Sequence, residues 1–268
     1  MALPAPREEA TALITGASSG IGAEIARELA RRGHGVTLVA RREERLLELS
    51  SELAVEHGVR AGVITADLAG REGRDRLAAE LGRLELEVDV LINNAGFGLH
   101  EDFLDGDRER QLDMVALNCE AVVDLSSRYG RGMSARGSGT IINIASTAAF
   151  QPLPGSATYA ASKAFVLSLS EALHEELRGS GVTVTAVCPG PVRTEFAEVA
   201  GIGDAETSTP GMLWMSAADL AEDAVEAADR GKRAVVPGAL NLAGSILGRH
   251  SPRTVALPIT RRIWRQVN

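Results

Sequence analysis

The sequence predicts an α/β protein built on a doubly wound, seven-stranded parallel sheet with helices on both faces, and three observations carry that expectation. From Ala10 to Val236, short apolar runs alternate with segments whose apolar residues recur at helical spacing. The runs are continuous, as in Val88-Asp89-Val90-Leu91-Ile92 and Gly139-Thr140-Ile141-Ile142-Asn143-Ile144, and not alternating, which is the pattern of strands buried on both faces. A chain of 268 residues that is 45% hydrophobic can also fill one sizeable core.

A strand over 10–15 feeds a helix over 20–32, in which Ile21, Ile25, Ala26 and Leu29 fall on one face. The unit then repeats. Further strands are predicted over 36–40, 60–65, 88–92, 140–145, 182–187 and 234–236, with helices over 43–57, 71–84, 107–133, 157–179 and 217–230. Residues 1–238 are expected to form one domain carrying the whole site, and 239–268 a basic, apolar extension packed on that domain or on a neighbouring subunit. In doubly wound sheets ligands bind beyond the carboxyl ends of the strands, so the residues just after each run are where chemistry is sought.

Composition narrows the function classes. The first ten residues lack the charged-then-apolar order of a signal peptide, and no stretch of about 18 apolar residues occurs, so a cytoplasmic protein is expected. Cys119 and Cys188 are too few for a disulfide framework or a zinc site, and no metal centre is expected. Charge is unevenly placed: the last 39 residues carry +8 with no Asp or Glu, against −16 in the first 229, giving −8 overall. No zinc-finger spacing, basic recognition helix or aromatic stacking set accompanies the basic end, which argues against nucleic acid.

The first strand runs into Thr15-Gly16-Ala17-Ser18-Ser19-Gly20-Ile21-Gly22. Glycines between a strand and a helix let the backbone approach a pyrophosphate and aim a helix N-terminus at it. After the second strand, where a carboxylate would bind the adenosine ribose of NAD, the chain instead reads Arg41-Arg42. A guanidinium there can fork onto the 2′-phosphate of NADP, and Arg41 is the expected clamp. The plainer alternative is that both arginines simply open a solvated helix.

The chain has two tyrosines and two lysines, and Lys163 follows Tyr159 by four residues. By chance about 0.015 such pairs are expected. On a helix the two side chains share a face, and the ammonium is expected to lower the phenol pKa, fitting Tyr159 for proton exchange with a carbonyl or alcohol oxygen.

With Asn93-Asn94-Ala95-Gly96 after the fourth strand, Asn118, Ser146, Tyr159-x-x-x-Lys163 and Pro189-Gly190-Pro191-Val192-Arg193-Thr194, the chain resembles the short-chain dehydrogenase/reductase family from about Ala10 to Val236. The resemblance implies a Rossmann-like fold and a catalytic set of Asn118, Ser146, Tyr159 and Lys163. In it Ser146 binds the substrate oxygen, Lys163 also grips the nicotinamide ribose, and Asn118 holds a water in a proton relay. It further implies cofactor contacts from Gly16, Ser18, Ser19, Gly20, Ile21, Gly22, Arg41, Arg42, Asp67, Leu68, Asn94, Ala95, Gly96, Tyr159, Lys163, Pro189, Gly190, Val192 and Thr194, and assembly as a homodimer or homotetramer. The implied activity is hydride transfer between NADP(H) and a carbonyl or secondary alcohol.

Residues 195–215, with Gly211-Met212-Leu213-Trp214-Met215, read as a lid, and with Phe97, Phe150, Pro152 and Leu153 they favour a hydrophobic ketone or aldehyde. Past Gly238, Pro252 and Pro258 are expected to prevent one long helix; Ile259, Ile263 and Val267 share a face, away from Arg261, Arg262 and Arg265. That end is read either as packing or as a contact for a membrane surface or an anionic acyl carrier. Two rival functions remain at this stage. One is an epimerase or dehydratase that recycles its cofactor, against which the short chain counts; the other is a non-enzymatic NADPH-binding regulator.

Overall fold

A computed structural model gives the structure, which describes residues 3–201 and 211–264. Seven parallel strands are present: β1 (Ala10–Thr15), β2 (Val36–Ala40), β3 (Ala61–Thr65), β4 (Glu87–Asn93), β5 (Gly139–Ile144), β6 (Val182–Val187) and β7 (Ala234–Val235). Their order is β3-β2-β1-β4-β5-β6-β7. The chain winds outward from β1, then crosses back to β4, so the carboxyl ends of β1 and β4 diverge and leave a crevice.

Helices cover both faces. α1 (Gly20–Arg31), α2 (Glu43–His57) and α8 (Ala217–Asp229) bury Ile25, Leu29, Leu46, Leu53, Leu220 and Val225 on one side. α3 (Arg71–Arg83) and α5 (Ala121–Arg136) bury Leu77, Leu81, Leu125 and Met133 on the other, where α6 (Ala157–Glu176) adds Val166 and Leu167. The remaining helices are α4 (Arg108–Val115), the single turn α7 (Phe196–Val199), α9 (Ala239–His250) and α10 (Arg253–Trp264). Among the described residues no helix is long and apolar enough to cross a membrane.

Three expectations need correction. The predicted 107–133 helix is interrupted by a π turn at Ala116–Glu120 and continues to Arg136, where Gly137 at φ 70° closes it. One extra residue in a turn does not disturb apolar periodicity enough to be read from it. β7 is two residues long, not three, and Pro237, which lacks an N–H, follows two residues later. Pro258 lies inside α10, whereas Pro252 does separate α9 from α10; the missing N–H of Pro258 costs α10 one backbone bond.

Within this apolar sheet lies a line of polar side chains. Asn93 Nδ2 donates to Asn143 Oδ1 (2.8 Å) on the adjacent strand and to Ser126 Oγ (3.0 Å) on α5. Asn143 Nδ2 donates to Ser170 Oγ (2.8 Å) on α6, whose hydroxyl donates to Val166 O (2.6 Å). Both amides are almost wholly buried. Asn143→Leu keeps the branched shape but removes one hydrogen-bond partner from each of Asn93 and Ser170. It should lower stability by about 1–3 kcal/mol for each partner left unpaired, measured by urea unfolding, and an unchanged midpoint would remove the ladder from the account of the fold.

Candidate active site

At the crevice a cavity of about 700 Å3 runs from the turn after β1 to α9. Thr15 Oγ1 shapes one end by donating to Ile92 O (3.0 Å) and accepting from the backbone N–H groups of Asn94 (2.9 Å) and Ala95 (3.0 Å). Asn94 Nδ2 in turn donates to Thr15 O (2.9 Å) and Gly16 O (3.2 Å). The packing is close enough to demand glycine. Gly16 has φ 66°, and a Cβ there would stand 2.8 Å from Asn94 Nδ2; a Cβ on Gly22 would stand 2.4 Å from Gly16 O.

Of the residues singled out from sequence, Gly16, Ser18, Ser19, Gly20, Ile21, Arg41, Arg42, Asp67, Leu68, Asn94, Ala95, Gly96, Ser146, Tyr159, Lys163, Pro189, Gly190, Val192 and Thr194 all line the cavity. Gly22 and Asn118 lie behind its wall. Gly22 is packed against Gly16, and Asn118 sits in the π turn, where Nδ2 donates to Phe97 O (3.0 Å) and Ser162 Oγ (3.0 Å) and Oδ1 accepts from Phe97 N (3.3 Å). The Asn118 amide therefore joins the 96–98 turn to α6, and Ser162 Oγ passes the tie on to Tyr159 O (2.8 Å).

The two arginines differ. Arg41 is 76% exposed, with Asp67 Oδ2 3.9 Å away. Arg42 is anchored: Nη2 donates to Ser19 Oγ (2.7 Å), Nε to Ser18 Oγ (3.2 Å) and Nη1 to Glu195 Oε2 (2.8 Å). Its guanidinium holds the Glu195 carboxyl below the ordinary carboxylate range.

At the far end, Ser146 follows β5 and caps a 3-10 turn, Thr147–Phe150, by accepting from Ala148 N (3.1 Å), and its hydroxyl lies on the side of the Tyr159 phenol, where it favours the charged form. Lys163 Nζ lies 5.9 Å from the Tyr159 ring centroid and donates to Ile144 O (2.8 Å). The expected lowering of the tyrosine pKa is not what this arrangement produces. Burial pushes the phenol up to about 12, only partly offset by Ser146, and burial also pushes the Lys163 ammonium down to about 8. Desolvation opposes both charged forms, and at this separation, with Nζ committed to a carbonyl, it outweighs the attraction.

The apolar lining includes Phe97, Leu99, Phe150, Leu153, Phe196, Leu213 and Trp214, whereas Pro152, Met212 and Met215 stand outside it, Met212 being 76% exposed. Of the predicted lid, residues 202–210 lie outside the described residues, as do Arg265 and Val267 of the C-terminal face; nothing is described of the Ile263 side chain.

Two contributors were not read from the sequence. Buried Arg74 holds the 67–69 turn through Leu68 O (3.0 Å) and Ala69 O (3.1 Å), with Asp124 Oδ2 (2.9 Å) balancing its charge. α9 supplies Leu240, Asn241, Gly244, Ser245 and Gly248 to the cavity wall, with Asn241 Nδ2 donating to Leu213 O (3.2 Å). The small residues at helical spacing were the available signal.

A glycine-cradled crevice at the switch point of a parallel sheet, with a phenol and an ammonium one helical turn apart inside it, defines a nucleotide-binding class of α/β protein. Residues 10–202 match the short chain dehydrogenase family model, and the chain belongs to that family. Over 195 residues it is 38% identical to the very-long-chain 3-oxoacyl-CoA reductase of Anas platyrhynchos, covering 71% of this chain and 62% of that protein, so the match spans less than two thirds of the relative's length. Among solved structures it is similar to a short-chain dehydrogenase from Sphingobium yanoikuyae in complex with NADPH (TM-score 0.78, 37% identity, 96% of this chain and 95% of that one). It is also similar to a bulky-bulky ketone specific alcohol dehydrogenase from Comamonas testosteroni (TM-score 0.75, 33% identity, 96% and 93%).

A Cβ on Gly190 would fall 2.4 Å from the Asn241 side chain. Gly190→Ala should therefore cost about 1–3 kcal/mol, and adding Asn241→Ala should recover most of it; strictly additive thermal shifts would mean that α9 is not seated on this turn.

Proposed function

We propose that this protein is an NADP(H)-dependent oxidoreductase that reduces a hydrophobic ketone or aldehyde to the alcohol. The observation that carries this reading is the Tyr159 phenol, with Ser146 and, one turn on, Lys163, in the same cavity that the glycine-rich turn lines.

The residues fit a dinucleotide. Gly16 and Gly20 keep the turn after β1 free of side chains, and the N-terminus of α1 points at the same space. In this reading Asp67 and Leu68 meet the adenine, Asn94, Ala95 and Gly96 the length of the cofactor, and Pro189, Gly190, Val192 and Thr194 the nicotinamide end, all of them lining the one cavity. Arg41, whose charge among the described residues meets none nearer than Asp67 at 3.9 Å, is the residue available to a 2′-phosphate, while Arg42 stiffens the Ser18–Ser19 turn beside it. When bound, the nicotinamide supplies the hydride that the carbonyl carbon receives.

The chain's own residues handle the oxygen. Ser146 accepts the Ala148 N–H and so has its hydroxyl proton to direct at the substrate oxygen. The carbonyl oxygen gains the Tyr159 proton, and with a pKa of about 12 the phenol keeps that proton available across neutral pH. The positive charge of Lys163 steadies the phenolate left behind, and a proton drawn from solvent restores the phenol. Because the Asn118 side chain is committed to Phe97 and Ser162, its part in a relay falls to its main chain.

Apolar walls around Tyr159 support a substrate with hydrocarbon on both sides of the carbonyl, and the Comamonas relative is specific for bulky ketones. A non-catalytic binder has no use for Ser146, Tyr159 and Lys163 in one cavity. We place the enzyme in the cytoplasm and assign it a dimer or tetramer through the long helices that carry Asn118 and Tyr159, on which Leu112, Val115, Val123 and Phe165 are exposed.

Tyr159→Phe should lower kcat by about 100- to 10,000-fold while NADPH titration stays within about twofold of the parent; near-normal turnover would dismiss the phenol as donor. Arg41→Asp should weaken NADPH binding by about 10- to 100-fold and shift preference to NADH. The ammonium of Lys163 is present below about pH 8 and lost above it, so kcat/KM for reduction should fall as pH rises through that value. Lys163→Arg, which keeps its charge, should abolish that fall; a profile identical to the parent's would assign the titration to another group.

A further inference from the structure

We propose that α9 and α10 form a docking face for an anionic lipid bilayer, set at the mouth of the cavity. α9 has two faces. Asn241, Ser245 and Gly248 are buried and line the cavity, whereas Leu242, Ile246 and Leu247 point outward, 45%, 54% and 70% exposed. α10, two residues further along the chain, likewise leaves Val255 and Ile259 each more than half exposed. Seven of the eighteen large exposed hydrophobic residues among those described fall between Leu240 and Ile259, so this is a concentrated patch and not the ordinary scatter of a protein surface.

Charge selects the occupant. No Asp or Glu occurs from Arg230 onward, and Arg249, Arg253, Arg261 and Arg262 stand exposed on the same two helices, on a chain whose first 229 residues carry −16. Apolar side chains fringed by arginine on short helices match the boundary between acyl chains and acidic headgroups. Each helix has 12 residues, about 18 Å at 1.5 Å per residue, so the pair lies on a hydrocarbon layer of about 30 Å without spanning it. A second copy fits less well: a two-fold contact would set the arginines against themselves, with no carboxylate in the segment to pair them. An acidic carrier protein would answer the charge but would have to bury the apolar patch with a highly polar surface.

The placement has a consequence for access. Leu240 both lines the cavity and is 50% exposed, so the cavity opens at the edge of the patch, and Gly244, Ser245 and Gly248 keep the wall behind it thin. A hydrophobic carbonyl dissolved in the bilayer would enter there without crossing water. This consequence rests on the proposed reductase reading; the docking itself does not.

The test uses the full chain and sedimentation with vesicles of phosphatidylcholine alone or mixed with phosphatidylglycerol. The parent protein should pellet with the mixed vesicles at least about tenfold more than with the neutral ones, and added salt should release it. Ile246→Glu with Leu247→Glu should cut that binding at least about tenfold. Arg253→Gln with Arg261→Gln and Arg262→Gln should erase the preference for anionic vesicles. Both variants alter exposed positions outside the cavity, so their melting and their NADPH oxidation with a water-soluble carbonyl should match the parent. Parent protein that stays in the supernatant, or binds both vesicles equally, overturns the proposal. So does an oligomer that the Ile246/Leu247 variant dissociates, which would give the face to a second copy. Vesicle binding without any carbonyl turnover would sink the reductase reading alone.

Discussion

The site depends first on two amides buried in the middle of the sheet. Asn93 and Asn143 face each other across β4 and β5, and each has a second partner on a covering helix, Ser126 on α5 and Ser170 on α6. In a layer this deeply buried, an amide that loses its partner has no water to replace it, so only the register that satisfies all four groups is cheap. That requirement fixes more than the strands. α6 carries Tyr159 and Lys163, α5 follows the turn that carries Asn118, and Asn118 closes the arrangement from the other side through Ser162. The position of the phenol is thus over-determined by hydrogen bonds far from any reacting atom.

Burial then sets the electrostatics. Tyr159 and Lys163 move in opposite directions, to about 12 and about 8, so in this environment neither ionises as readily as it would in water. Desolvation narrows the choice of charge states to a neutral phenol beside an ammonium that is close to losing its proton near neutral pH. A group arriving with an oxygen to protonate meets a donor that holds its proton until it is needed, and a neighbour whose charge responds to what is placed next to it. The nearby thiols follow the same rule, Cys188 being pushed up to about 12 by its burial.

What the sequence made legible was whatever is encoded within a few residues. The alternation of runs set the sheet, the glycines after Thr15 marked the crevice, and the Tyr159–Lys163 spacing survived as a real adjacency. What it hid was set by distance along the chain. Arg74 reads as one more surface charge of α3 until Asp124, 50 residues on, is placed beside it. Asn241 faces Gly190 only because the chain after β7 returns over the end of β6. The tyrosine pKa is hidden from the sequence for a related reason: helical spacing gives proximity between two side chains, but the degree of burial that decides the sign is a property of the whole fold.

The same contrast between local spacing and long-range placement explains the two arginines after β2. They look alike in sequence and differ by one position, yet Arg42 turns inward over the loop, where two serine hydroxyls and Glu195, 153 residues away, hold it, while Arg41 projects outward. Fixing a long side chain costs conformational freedom, and for Arg42 the fold has already met that cost before any ligand arrives. Glu195 follows Thr194 directly, and Thr194 packs so near Gly20 that a Cβ there would approach it to 2.9 Å. The strand-end loops after β1, β2 and β6 are therefore tied to one another by a single ion pair and its serines. A pocket whose rims come from three separate crossovers keeps its shape only if such ties exist, and here the tie is made of the charged groups that the sequence offers for recognition.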